Sequence, residues 1–197
     1  MHPVAIDESA DFTKLTFPFP GKLYRGATSD SMHFRDIDLA REVMVPVPQH
    51  VGAFGVTRKF HTHEGVDLYC LNGDPVYCME HGIVKCIVPF TGEHAGSPWW
   101  HNTFAVVVEG EHGVINYGEI SPHPLLKVGD RVQQGDHIGD VVEVLLKDKG
   151  RPRSMLHLEL RTRGPFHLET WEPHEVKPEW LLDPTPLLLE AAKNMNF

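Results

Sequence analysis

Long apolar runs, clustered cations and closely spaced cysteines are all missing from this 197-residue chain. No stretch approaches the roughly 18–20 consecutive apolar residues that span a bilayer, so membrane insertion is not expected. Residues 1–30 hold Asp7, Glu8 and Asp11 and no basic segment leading into an apolar one. No secretory signal is read there, and a cytoplasmic location is expected, with extracellular action only by another release route. Lys and Arg number 18 against 27 Asp and Glu, for a formal charge of −9, and no Lys/Arg-rich run occurs. Nucleic acid is therefore not the expected partner, because neutralising phosphates needs clustered cations. The same charge disfavours unaided adsorption to an anionic envelope. Cys70, Cys78 and Cys86 lie eight residues apart. That is not the short-spaced pairing of structural zinc sites, and reduced, buried thiols in a reducing compartment are expected.

The remaining composition is that of a globular chain, 41% hydrophobic and 23% charged, enough to bury a core. Sixteen prolines and seventeen glycines imply frequent turns and short strands. Three zones follow: an N-terminal extension over 1–45, a β domain over 46–190, and a tail over 191–197. In the extension, Phe34, Ile37, Ala40, Val43 and Met44 recur at helical spacing, which predicts a short amphipathic helix over His33–Met44. Val45-Pro46-Val47-Pro48 cannot continue it. Strands are predicted at Gly65–Cys70, Pro75–Cys78, Gly82–Val88, Thr103–Glu109, Val114–Glu119, His137–Val144 and Met155–Arg161. Turn signals such as Asn72-Gly73-Asp74 and Gln134-Gly135-Asp136 separate them. The fold class expected is mainly β, an antiparallel sheet or sandwich, with a short C-terminal helix over Leu187–Lys193.

Fourteen histidines are many for this length, so the question is which have partners at ligand spacing. His63-Glu64-Gly65-Val66-Asp67 pairs an imidazole with a carboxylate four residues on. In a strand both would face one side but about 13 Å apart, and a turn at Gly65 would bring them to one ion. Otherwise they are a solvated loop histidine and a turn aspartate. Met155-Leu156-His157-Leu158-Glu159-Leu160 alternates, with leucines on one face and Met155, His157 and Glu159 turned to a groove or to solvent on the other. Of the adjacent Trp99 and Trp100, at most one can join the core of a single layer.

Taken in order, these segments resemble the lysostaphin/LytM-type zinc metallopeptidases over roughly residues 46–190. Phe54-Gly55-Val56-Thr57-Arg58 looks like that family's lead-in, and His63 to Asp67 like its first metal motif. Gly73-Asp74-Pro75-Val76-Tyr77 is similar to the turn that follows. Lys127 to Gly139 matches a stretch of regularly spaced valines and glycines, Leu156-His157-Leu158-Glu159-Leu160 the late metal strand, and Asp183-Pro184 the domain's end. The resemblance implies the family's duplicated hybrid β fold. It also implies Zn2+ held by His63, Asp67 and His157. Two nitrogens and one carboxylate oxygen suit zinc, and three protein ligands are the number found at catalytic zinc.

Two positions depart from the family pattern. Met155 stands where the first histidine of a His-x-His pair is expected. Glu119, in Tyr117-Gly118-Glu119-Ile120, stands where the second non-ligand histidine is expected. A thioether carries neither a titratable proton nor an N–H donor. Glu119 is the candidate replacement base, and His101, with His61 behind it, the candidate donor to a developing oxyanion. Three readings stay open: a non-catalytic or weakly active zinc protein whose groove takes a peptide, glycan or protein partner; a zinc endopeptidase acting on peptidoglycan-type or glycine-rich peptides with Glu119 as base; and a zinc hydrolase of another substrate.

Overall fold

The short apolar runs between turn signals form strands, because β-branched and aromatic side chains pack well on a pleated surface. The computed structural model describes residues 15–26, 37–46, 48, 50–162 and 170–195. Among them the elements are β1 (Leu23–Gly26), β2 (Glu42–Val45), β3 (Val66–Tyr69), β4 (Pro75–Tyr77), β5 (Gly82–Thr91) and β6 (Thr103–Gly110). They continue with β7 (Val114–Pro122), β8 (Arg131–Val132), β9 (His137–Val141), β10 (Met155–Arg161), β11 (Leu181–Leu182) and α1 (Thr185–Lys193). The chain is mainly β and its large sheet antiparallel, as the turn spacing predicts. That sheet runs β11-β10-β7-β6-β5-β8, with β3 also on β10 and the β4–β9 pair joined through β7.

β10 is the hinge of the arrangement. Its residues His157 to Arg161 pair with Gly118 to Val114 of β7, and Met155 to Leu158 pair with Tyr69 to Val66 of β3. All seven of its residues are buried. Met155, His157 and Glu159 therefore do not face solvent, as half of a one-sided strand would; both faces of β10 are covered. On the leucine face, Leu156 and Leu158 join Val66, Leu68, Val106, Ile115 and Tyr117 in one core. The Tyr117 hydroxyl accepts a hydrogen bond from the Met79 amide at 2.9 Å, so its polar end is satisfied inside that core. Leu156→Ala would leave a void where no side chain can collapse freely. It is expected to lower unfolding free energy by about 2–5 kcal/mol, read as a fall in the denaturant midpoint.

The segment before residue 46 enters the same core through Leu15, Phe17, Phe19, Val43 and Val45. Its predicted helix is corrected by the structure. Residues 33–36 lie outside the described residues, and Glu42–Val45 is a strand, paired in parallel with Leu23–Gly26. Val43, Met44 and Val45 are all fully buried. A continuous apolar run serves a buried strand as well as a helix face, and the partner strand decides. The C-terminal helix does form. Asp183 accepts the Thr185 amide at 2.8 Å through its side chain, Pro186 fits the first turn, and Leu187, Leu188, Ala191 and Ala192 face inward. Cys70 and Cys78 are buried and Cys86 is half-buried. Trp99 is exposed, and Trp100 packs on a small cluster of Tyr69, Val144, Leu145 and Met155. No helix among the described residues is long and apolar enough to cross a membrane.

Candidate metal centre

Three segments converge on one point. A tight hairpin, closed by His63 N donating to Val56 O at 3.0 Å and Gly55 N donating to His63 O at 2.9 Å, delivers His63. After the bend at Gly65 the chain enters β3, which carries Asp67 directly opposite His157 of β10. A Cβ on Gly65 would lie 2.5 Å from Leu158 O and 2.8 Å from His157 Nε2, so only glycine lets the strand pass this close. Gly65→Ala is expected to displace the His157 ring. A loss of about 1–3 kcal/mol in unfolding free energy, together with weaker metal uptake, is the measurable result.

His63 Nε2, Asp67 Oδ1 and His157 Nδ1 form a near-equilateral triangle with edges of 3.1, 2.9 and 3.1 Å. Ligands at ~2.0 Å in a tetrahedron stand roughly 3.3 Å apart, so the three atoms are close to the spacing that one zinc-sized ion requires. This group can hold a metal ion. The outer partners of each ligand support that reading. His63 Nδ1 donates to Ala53 O at 2.8 Å, which leaves Nε2 with its lone pair toward the centre. His157 Nε2 donates to Glu159 Oε1 at 3.0 Å, and Arg161 Nη2 in turn holds Glu159 Oε2 at 2.6 Å. Arg58 Nη2 donates to Asp67 Oδ2 at 2.5 Å, committing that oxygen and leaving Oδ1 for the centre.

Charge follows the same geometry. Burial pushes the His63 imidazole below its usual value. Burial would raise the Asp67 carboxyl, but the neighbouring His63 and Arg58 and the hydrogen bond from His157 outweigh it and hold Asp67 well below the carboxylate range. Burial also opposes charge on His157, yet hydrogen bonds to Asp67 and Glu159 and their charges carry it up to about 10. Without metal, a proton therefore occupies the space between the ligands, and Nδ1 must release it before it can ligate. Glu159, against burial, is held down to about 2 by His157 and Arg161.

Glu119 follows Gly118, the residue paired with His157, at a backbone irregularity. Along β7, Tyr117 and Ile120 both point into the core, although strict alternation puts residues three apart on opposite faces. The β6 register slips here, with Phe104 opposite Ile120 but Val106 opposite Tyr117, and Glu119 has φ of 66°. This bulge takes Glu119 out of the strict alternation that would put it on the Tyr117 face. Its Oε2 is buried and has no hydrogen-bond partner among the described residues. Burial first, and then the Asp67 charge, push its carboxyl up to about 8, against the pull of His157, Arg58 and Arg151.

The other positions singled out by sequence stand differently. Met155 packs in the apolar cluster with Tyr69, Val144 and Leu145. His101 is 45% exposed, and its side-chain partner is Glu143 at 3.9 Å rather than any of the three ligands. His61 is half-buried beside the centre, driven down to about 4 by burial and by the charges of Arg58, His63 and His157. Sequence reasoning gave no role to Arg58 or Glu159. Glu159 was legible as the acid two residues from His157 on one strand face; nothing local marks Arg58 as the partner of Asp67.

The profile of peptidase family M23 matches residues 61–167, more than half of the chain. No curated protein matches. Among solved structures, cbpa from L. salivarius REN is 18% identical, with 92% of this chain and 98% of that one covered and a TM-score of 0.51. Lysostaphin from Staphylococcus simulans is 20% identical over 73% of this chain and 49% of its own, at a TM-score of 0.49. The present chain thus spans about half of lysostaphin's length. A variant catalytic domain of the prophage-encoded M23 protein EnpA from Enterococcus faecalis is 19% identical over 66% of this chain and 100% of its own, at a TM-score of 0.40.

Proposed function

Because this chain belongs to peptidase family M23, we propose that it is a zinc-dependent hydrolase of peptidoglycan-type or glycine-rich peptides in which Glu119 is the general base. The observation that supports the reading is Glu119 itself, in a β7 bulge one residue after Gly118, which pairs with His157, with one buried oxygen lacking a partner among the described residues. Zinc on His63, Asp67 and His157 would supply Lewis acidity and make a water easier to deprotonate. Glu119 would take the proton of the attacking water and return it to the departing amine. Arg58 would keep Asp67 charged and oriented, and Glu159 would fix the tautomer of His157.

The test is release of new amino termini from glycine-rich and peptidoglycan-type peptides by the zinc-loaded protein. Activity that a chelator removes and zinc restores is expected; none from the fully loaded protein would overturn the hydrolase reading. Met155 favours a second reading, a zinc-bearing, non-catalytic member that binds a peptide, a glycan or a protein partner. Its side chain has no donor and lies in an apolar cluster. Zinc-dependent peptide binding without cleavage is the outcome that reading requires.

A further inference from the structure

His63, Asp67 and His157 are all buried, so what approaches them first meets the half-buried side chains in contact with them. On the Asp67 side that is Arg58, bonded to the carboxylate. On the His157 side it is Phe90, whose ring centroid lies 5.3 Å from that of the imidazole with the planes 38° apart. This is ring-on-ring contact with a metal ligand.

Two bulges at one level of the sheet bring Phe90 there. The strands β5, β6, β7 and β10 lie side by side in that order. On β5, Pro89 stands opposite Phe104 and Thr91 opposite Thr103, so Phe90 is an extra residue in the ladder. On β7, Ile120 stands opposite Phe104 and Tyr117 opposite Val106, so Gly118 and Glu119 share Ala105. An extra residue bends its strand and re-aims its side chain. The β6 strand offers only the short side chain of Ala105 at this level, and the Phe90 ring reaches across to β7. A Cβ on Gly118 would lie 2.6 Å from Phe90 Cε1, so the ring fills the place of a side chain at 118. Gly118 pairs with His157, which completes the path from β5 to the ligand.

We propose that Phe90 sets the size of side chain that the site accepts, admitting glycine beside the scissile bond and excluding branched residues. The inference rests on the hydrolase reading above for its substrate class. The residue whose carbonyl is drawn to the centre carries its Cα one bond, about 1.5 Å, from the reacting carbon. Its side chain is therefore the part of the substrate nearest the ligand rings, where Phe90 already occupies the space on His157. Glycine has nothing to place there. Leucine meets an aromatic ring backed by Gly118 and His157, with no room to retreat. A clash built against the wrong ligand discriminates as effectively as a contact made to the right one.

The test uses the zinc-loaded full chain and two zinc-chelating probes, N-acetylglycine hydroxamate and N-acetylleucine hydroxamate. Their Kd values are measured by calorimetry beside zinc content. The wild type is expected to prefer the glycine probe by about 10–200-fold, the discrimination that pocket shape supplies. Phe90→Ala should erase most of that ratio at unchanged zinc content, and Phe90→Leu, which leaves a smaller void, should give an intermediate ratio. Gly118→Ala should push the ring outward and weaken both probes, a loss that adding Phe90→Ala should relieve. No preference in the wild type, the same ratio in Phe90→Ala, a change that only tracks lost zinc, or failure of both probes to bind overturns the proposal. If the wild type cleaves glycine peptides but its probe ratio does not depend on Phe90, the Phe90 assignment fails and the hydrolase reading stands. If the ratio depends on Phe90 but the wild type cleaves nothing, the hydrolase reading fails and Phe90 remains the size limit of a binding site.

Discussion

His157→Ala is expected to abolish metal binding and to destabilise the protein more than any single leucine truncation in its core. Two effects add. The first is present without metal. His157 joins Asp67 and Glu159, both nearly fully buried, through hydrogen bonds of 2.9 and 3.0 Å. Removing the cation between two buried carboxylates leaves them facing each other, with only Arg58 and Arg161 to compensate. Breaking a buried charge pair in this way costs about 3–5 kcal/mol. The second effect is lost linkage. A ligand at a hundred times its Kd stabilises the folded state by about 2.7 kcal/mol, and the variant forgoes that contribution. Elemental analysis paired with denaturant unfolding, each with and without chelator, separates the two. A variant that keeps a full complement of zinc would show that His157 is not a ligand.

Glu119→Gln is expected to retain metal and lose catalysis. The amide cannot accept a proton from water, so peptide cleavage should fall by about 10²–10⁴-fold, the usual contribution of a general base. Zinc content should not change, because Glu119 is not one of the three atoms in the ligand triangle. Equal kcat in the variant and the wild type would remove Glu119 from the mechanism. The same substitution has a signature in stability. Glu119 is raised from its ordinary value of 4.5 to about 8 in the folded, metal-free protein. Between those values the folded state holds a proton that the unfolded chain has released. Its contribution to stability is therefore complete below about pH 4.5 and is lost as pH rises through about 8. Metal-free Glu119→Gln should lose stability less steeply than the wild type across that window when unfolding is followed at several pH values.

The strands β3 to β7, β9 and β10, their turns and the closing helix were legible because each depends on local patterning. Met155–Arg161 alternates along its length, and glycine-aspartate turns bound its neighbours. The three atoms now within 3.1 Å of one another were legible as candidates because two lie in one short motif and the third sits on a strand whose leucines fix its facing. Three matters were not legible. Val43, Met44 and Val45 fit a helix face as well as a buried strand, and only pairing with Leu23–Gly26 chose between them. Glu119 would point into the core by alternation, and only the slipped register against β6 breaks that alternation. Arg58 carries no local mark of its place beside Asp67. The sequence by itself determined most element types of the β domain, the antiparallel architecture and which side chains have metal-binding chemistry, since these follow from periodicity and functional groups. The tertiary structure alone decided which of those groups meet and which acids and bases are buried unpaired. Such proximity depends on strand register and bulges, properties of two segments together that neither segment's sequence contains.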